Sequence, residues 1–334
     1  MVRIAPTTAH RRARNLLGAA CILCLVAIPL LSQDETSESP ARANFTDQIA
    51  VEWVSVSALV EGNRKPLPPL EPGLFRLFVD GREVAIEEFE PSGEIVHLLL
   101  LQDVSGSMAM RRRLAISQSV YRRLLSQLQP TDKLALATFA APGVSLQQGF
   151  TDDHQKLRGL EQDWQGWGET ALLDAASTVP QLTRAQWGRT TALLVTDGAD
   201  NASELPAEEV RLLLSGAGIP VYVFGFDGAP EERPTKRPRR ARDLADFASE
   251  EELDDLRKLA VASGGRYVNL TETSVELAVS KVLRDIRRRV FLGFPTTTDS
   301  ARSMHTVEVR MMRRDGIVRH RTHYFGHEPR DWAP

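Results

Sequence analysis

The chain has 334 residues, 42% of them hydrophobic and 25% charged, and a formal net charge of −3. That is ordinary globular material, long enough for one main domain with additions. The acidic balance already counts Arg3, Arg11, Arg12 and Arg14, so it excludes a global nucleic-acid-binding role for the rest of the chain.

Those arginines precede an apolar stretch from Leu16 to Leu31 and then polar residues, the layout of a secretory signal peptide. The stretch is short for a membrane span and carries Pro29. Its cleavage signal is poor, with Ser32-Gln33 close by and Ala41-Arg42-Ala43 far off. Residues 1–33 therefore read as a removed signal peptide or a retained N-terminal membrane anchor through residues 16–31. Either way the chain is expected to be exported, to the periplasm, the cell envelope or the extracellular space. Cys21 and Cys24, the only cysteines, lie in this stretch without the βαβ context of a redox pair.

Residues 34–44, rich in Ser, Glu, Asp and Pro, read as a linker. Residues 45–94 come next as a small β-rich domain. In it Ile49 to Val60 alternates as a strand should, and Lys65 to Pro72 is a proline-rich break. Phe75–Val79 and Glu83–Phe89 then flank Asp80-Gly81, a hairpin signal.

From Ile95 strands and helices alternate to about residue 290, which predicts a parallel sheet covered on both faces. The continuous apolar run Ile95–Leu101 reads as a buried parallel strand, and Asp103-Val104-Ser105-Gly106-Ser107 comes directly after it. The helix beyond carries Leu114, Tyr121, Leu125 and Leu128 on one stripe, and Leu134–Phe139 is the next strand, with Val144–Phe150 at an edge. Gly168-Glu169-Thr170 opens a helix at Ala171–Ala176, and Thr190–Thr196 is a strand ending in Asp197-Gly198. Val210–Leu214 is helical and Ile219–Phe226 is a further core strand. The proline- and arginine-rich segment 227–246 reads as a solvated surface insertion, because it lacks interleaved aromatics and a helical period. Leu253–Ala260 and Val275–Arg289 complete the helices.

Residues 291–334 return to β pattern as a C-terminal hairpin extension, His305–Met311 and Ile317–Tyr324 joined by Arg314-Asp315-Gly316. His320, His323 and His327 invite a metal reading, but strand positions three apart point to opposite faces, so they read as surface or satisfied histidines. The fold class is α/β, a doubly wound, mostly parallel sheet with flanking β-rich N- and C-terminal segments.

One carboxylate and two hydroxyls thus stand at the carboxyl end of a buried strand, where ligands of open α/β sheets bind. Oxygen-only donors suit a hard cation such as Mg²⁺. D-x-S-G-S at Asp103–Ser107, G-x-T-x-L-x-D-A from Gly168 and L-V-T-D-G ending at Gly198 come in that order. Together they resemble the metal-ion-dependent adhesion site of the von Willebrand factor type A (VWA) domain. The resemblance implies a VWA/Rossmann-like fold and a metal held by Asp103, Ser105, Ser107, Thr170 and Asp197. In it the hydroxyls coordinate the metal and the aspartates hold it directly or through water. Mg²⁺ is the expected ion, with Mn²⁺ and Ca²⁺ as alternatives, and a Glu or Asp of a partner protein supplies the missing ligand.

The whole chain after the leader is similar to the bacterial VWFA-related family of exported proteins. Leu70–Phe75 through Asp80-Gly81, the VWA segment and the final hairpin carry that similarity, and His323 stands where the family has a small residue.

The resemblance implies a non-enzymatic, metal-dependent binding module. No nucleophile has a base beside it, since His97 lies well before the serines of the loop. A Mg²⁺-dependent phosphohydrolase would need a second carboxylate two residues after Asp103, where Ser105 stands. A structural envelope protein with a vestigial metal site is the third reading. No nucleic-acid partner is expected. As a carboxylate at a strand end, Asp103 is expected to lie outside the core.

Overall fold

The structure, a computed structural model, describes residues 51–62, 69–91, 95–186, 189–227, 248–297, 303–312 and 316–326. The leader or anchor at 1–33, the linker at 34–44, the basic insertion after Asp227 and His327 lie outside the described residues. Among the described residues no helix is long and apolar enough to cross a membrane.

The chain enters on β1 (Val51–Gly62), β2 (Phe75–Val79), β3 (Arg82–Val84) and β4 (Glu88–Glu90). The main domain then runs through β5 (His97–Asp103), α1 (Arg113–Gln127), β6 (Lys133–Ala140), β7 (Gly143–Thr151), α2 (Leu172–Ser177) and α3 (Val179–Thr183). It continues as β8 (Thr190–Thr196), α4 (Ala207–Ala217), β9 (Val221–Gly225), α5 (Glu250–Ala262), β10 (Arg266–Asn269) and α6 (Val275–Arg287). β11 (Arg289–Thr297), β12 (Met304–Met311), β13 (Gly316–Arg319) and β14 (His323–Phe325) close the described chain.

The central sheet has the order β10-β9-β8-β5-β6-β7, parallel except for the antiparallel edge strand β7. β5 is apolar along its length because both of its faces are covered. Leu98 and Leu100 pack with Val120, Tyr121 and Leu124 of α1 and Val279 and Val282 of α6. Leu99 and Leu101 pack on the opposite face with Leu172, Val210, Leu214 and Leu256. Each fully buried leucine of this kind contributes roughly 1.5–3 kcal/mol of transfer free energy. The chain leaves β5 for β6 on one side and returns to β8 on the other, so the carboxyl end of β5 is the point where strand order reverses.

Close approach sets one junction of this sheet. A Cβ on Gly265 would stand 1.9 Å from the Val221 carbonyl oxygen, so only glycine lets the turn before β10 lie against β9.

The two flanking segments, expected as separate units, pair with each other. One antiparallel sheet has the order β13-β1-β11-β4 and the other β14-β12-β2-β3. Val54, Val56, Leu292 and Phe294 of the first meet Phe75, Leu77, Val307, Val309 and Tyr324 of the second in one core. β2 and β3 turn on Asp80-Gly81, where φ is 48° and 77°.

Two expected strands are divided between these sheets. Glu83–Phe89 breaks into β3, which pairs with β2, and β4, which pairs with β11. Ile317–Tyr324 breaks into β13, paired with β1, and β14, paired with β12, so the expected hairpin with His305–Met311 closes through β14 alone. The cause of the second break lies in the main domain. Arg321 turns inward to donate to the Gly216 carbonyl at 3.0 Å and the Ser55 carbonyl at 2.9 Å, and the Thr322 N–H donates to the Ala262 carbonyl at 2.9 Å. At the break, His320 Nε2 accepts from the Val309 N–H at 3.1 Å and its Nδ1–H donates to the Arg321 carbonyl at 2.6 Å. His323 Nδ1 pairs with the Thr322 hydroxyl at 2.9 Å.

Candidate metal centre

Asp103 is the last residue of β5, and the next turn folds back on its carboxylate. The Ser105 N–H donates to Asp103 Oδ1 at 2.9 Å, and the Thr196 hydroxyl, from the end of β8, donates to Oδ2 at 2.7 Å. The side chain is completely buried, contrary to the expectation that a strand-end carboxylate lies outside the core. Tight register is the reason: β5 runs paired with β8 to Gln102 and with β6 to Asp103, and Val104 still donates to the Phe139 carbonyl.

The Ser105 and Ser107 hydroxyls lie 3.1 Å apart, both on buried residues. Asp197 comes directly after β8, 1% exposed, with Oδ1 accepting from the Ala199 N–H at 3.2 Å. Gly198 permits this turn. Its φ is 85°, and a Cβ there would meet Leu253 Cδ2 at 2.9 Å.

Thr170 arrives on the loop ahead of α2. Its N–H donates to Asn201 Oδ1 at 2.8 Å, and its carbonyl accepts from Asn201 and Ala202 at 3.1 and 3.0 Å. Asp174, the acidic residue of the same motif, accepts from the N–H groups of Glu204 and Leu205, which binds α2 to the loop after β8. Gly106 donates to the Gly168 carbonyl at 3.0 Å and Trp167 to the Val104 carbonyl at 3.1 Å, so this loop also lies against the serine turn.

Charge at the centre is unevenly balanced. Burial pushes the Asp103 carboxyl up to about 7, and the nearby Asp197 charge adds to the rise. Burial also raises Asp197, against the opposing pull of the Arg113 guanidinium. Arg113 Nη1 donates to Asp197 Oδ2 and, at 3.3 Å, to the Ser107 carbonyl. Thr196 and Arg113 are polar partners of the two aspartates that sequence reasoning missed. Thr196 stands in the L-V-T-D-G motif itself, while Arg113, in the run Arg111-Arg112-Arg113, reads only as the start of a helix.

Two close carboxylates among hydroxyl oxygens form a donor set of the kind a hard divalent cation takes, completed by water. Among the described residues no group of three or more His, Cys, Asp or Glu side chains is placed to hold a metal ion. The candidate set has two carboxylates, and its other members are hydroxyls.

Residues 98–199 match the family model of the von Willebrand factor type A domain. Solved structures similar to this chain include an aerotolerance-related membrane protein from Bacteroides fragilis, 21% identical, with a TM-score of 0.45 over 57% of this chain and 98% of that one. BatB from Bacteroides thetaiotaomicron is 22% identical, with a TM-score of 0.42 over 57% and 99%. A von Willebrand factor type A protein from Catenulispora acidiphila is 11% identical, with a TM-score of 0.46 over 83% and 74%. No curated protein matches the chain. The serine turn, the threonine loop and the second aspartate all lie inside the matched span, so residues 98–199 are similar to a von Willebrand factor type A domain.

Proposed function

We propose that this chain is an exported, non-enzymatic protein-binding module that captures an acidic side chain of a partner through a divalent metal ion. The observation that carries the reading is the gathering of Asp103, Ser105, Ser107 and Asp197 at the point where strand order reverses. Asp103, Ser105, Ser107, Thr170 and Asp197 would hold the ion, Mg²⁺ in the first instance. When bound, the ion supplies a positive centre with an open coordination position for a partner's Glu or Asp.

This chain's own residues do the rest. Thr196 and the Ser105 N–H fix the Asp103 carboxylate, and Asn201 holds the threonine loop. Phosphoryl transfer is disfavoured because Ser105 stands where a second acid is needed. In the same proposal, residues 45–94 and 291–334 flank a VWA domain over 95–290, and residues 1–33 direct export or anchor the chain.

The test is capture of proteins from envelope and culture fractions by the full chain, in Mg²⁺ and in chelator. A partner held in Mg²⁺ and released by chelator is the expected result, and capture that ignores chelator counts against the metal bridge.

A further inference from the structure

Resting on that metal reading, we propose that Arg113 is the resident cation of the centre and that Arg113 and a divalent metal ion are alternative partners of Asp197. Arg113 is the first residue of α1 and is 4% exposed. Its guanidinium contacts two members of the candidate set at once, the Asp197 carboxylate and the Ser107 carbonyl. In this ion pair the side chains are 5% and 0% exposed, so solvent screens it little.

The approach is built into the backbone. The serine turn runs on as a 3₁₀ segment over Gly106–Arg112, and Arg112 takes a left-handed φ of 62°, unusual for a residue with a side chain. That reversal starts α1 with Arg113 facing inward, its N–H bonded to the Met108 and Met110 carbonyls. A guanidinium cannot shed its charge. It already fills the hydrogen-bonding side of Asp197 Oδ2, and a divalent cation at the same carboxylate would face it across a short, poorly screened distance. Metal entry therefore requires the guanidinium to leave Oδ2. Arg113 offsets part of the negative charge of the two aspartates and weakens the centre's hold on metal, and occupancy is transmitted to the first turn of α1.

The test is calorimetric titration of the full chain with MgCl₂ and MnCl₂, comparing wild type, Arg113→Gln and Arg113→Lys, with circular dichroism as the folding control. Arg113→Gln should bind about tenfold or more tightly, because a repelling charge is gone, and Arg113→Lys should stay near wild type. Because Arg113→Gln removes the cationic partner of Asp197 and can unfold the chain, a second measurement uses the wild type alone. It tracks the Arg113 Nε–H resonance, assigned by its loss in Arg113→Lys, through the MgCl₂ titration, and that signal should move in step with binding. Wild-type binding with no gain in folded Arg113→Gln, or with a stationary resonance, overturns the inference and leaves the metal reading intact. No binding by wild type or by Arg113→Gln removes the metal reading and this inference with it.

Discussion

Asp103 carries more than the metal motif assigns to it. Completely buried, it receives the Ser105 N–H and the Thr196 hydroxyl, so Asp103→Ala strands two donors and disturbs the end of the sheet. Asp103→Asn keeps the shape and removes the charge, which makes it the cleaner probe. Partner capture in Mg²⁺ should weaken by about 2 kcal/mol or more in Asp103→Asn, on the scale of truncating one member of a buried charged pair. Thr170→Ala should weaken it less, since water can replace a neutral ligand. Binding curves for both variants in Mg²⁺ and chelator check this, and undiminished capture by folded Asp103→Asn would refute the bridge. Asp103, Ser105, Ser107, Thr170 and Asp197 were marked as candidates by the motif. Thr196 and Arg113 were not, because their bonds span 93 and 84 residues and depend on how β5, β8 and α1 pack.

At the scale of an element, one histidine stands at the break between β13 and β14. His320 accepts from the Val309 N–H through an unprotonated Nε2, and burial holds its pKa below the ordinary value. The unfolded chain takes up a proton near pH 6.5 that the folded chain resists, so this contribution is complete above that pH. It is lost as pH falls from about 6.5 towards the folded value, by at most about 1.4 kcal/mol per unit. Urea unfolding at pH 7.5 and 5.5 should show a larger loss for wild type than for His320→Gln. Equal losses would mean that His320 is not the group responsible, and the comparison separates it from His97 and His323, whose pKa values burial also lowers. The sequence showed β pattern on both sides of this break. It could not show that Arg321 leaves the strand for the Gly216 carbonyl, because an arginine in a strand ordinarily faces water.

Across the whole molecule, a second buried arginine joins the flanking sheets to the main domain. Arg289, 2% exposed, donates to the Ser57 hydroxyl of β1 at 2.7 Å, the Tyr222 hydroxyl of β9 at 3.1 Å and the Gly264 carbonyl at 2.9 Å. Replacing it with leucine removes these three buried or half-buried hydrogen bonds, a loss of about 3 kcal/mol. Wild type should unfold in one transition by circular dichroism and tryptophan fluorescence. Arg289→Leu should either lower that midpoint or separate the two signals, and an unchanged single transition would show that the contact couples nothing. The proposed export belongs to this scale as well, because the basic residues and apolar stretch ahead of Leu31 read as an address for the whole chain. A reporter fused after Pro334 should function outside the cytoplasmic membrane, and one active only in the cytoplasm would end that proposal.

By itself the sequence determined the α/β layering, because an apolar run such as Leu98–Leu101 has no stable place except between two covered faces. It also determined which oxygens stand at the strand ends, since a motif fixes residue types over a few positions of chain. Three things were decided by tertiary structure alone: the pairing of β1 with β11 across more than two hundred residues, the burial of Asp103, and the meeting of Arg113 with Asp197. Each depends on distant segments packing to a fixed register, and local propensity carries no record of the partner a side chain will meet.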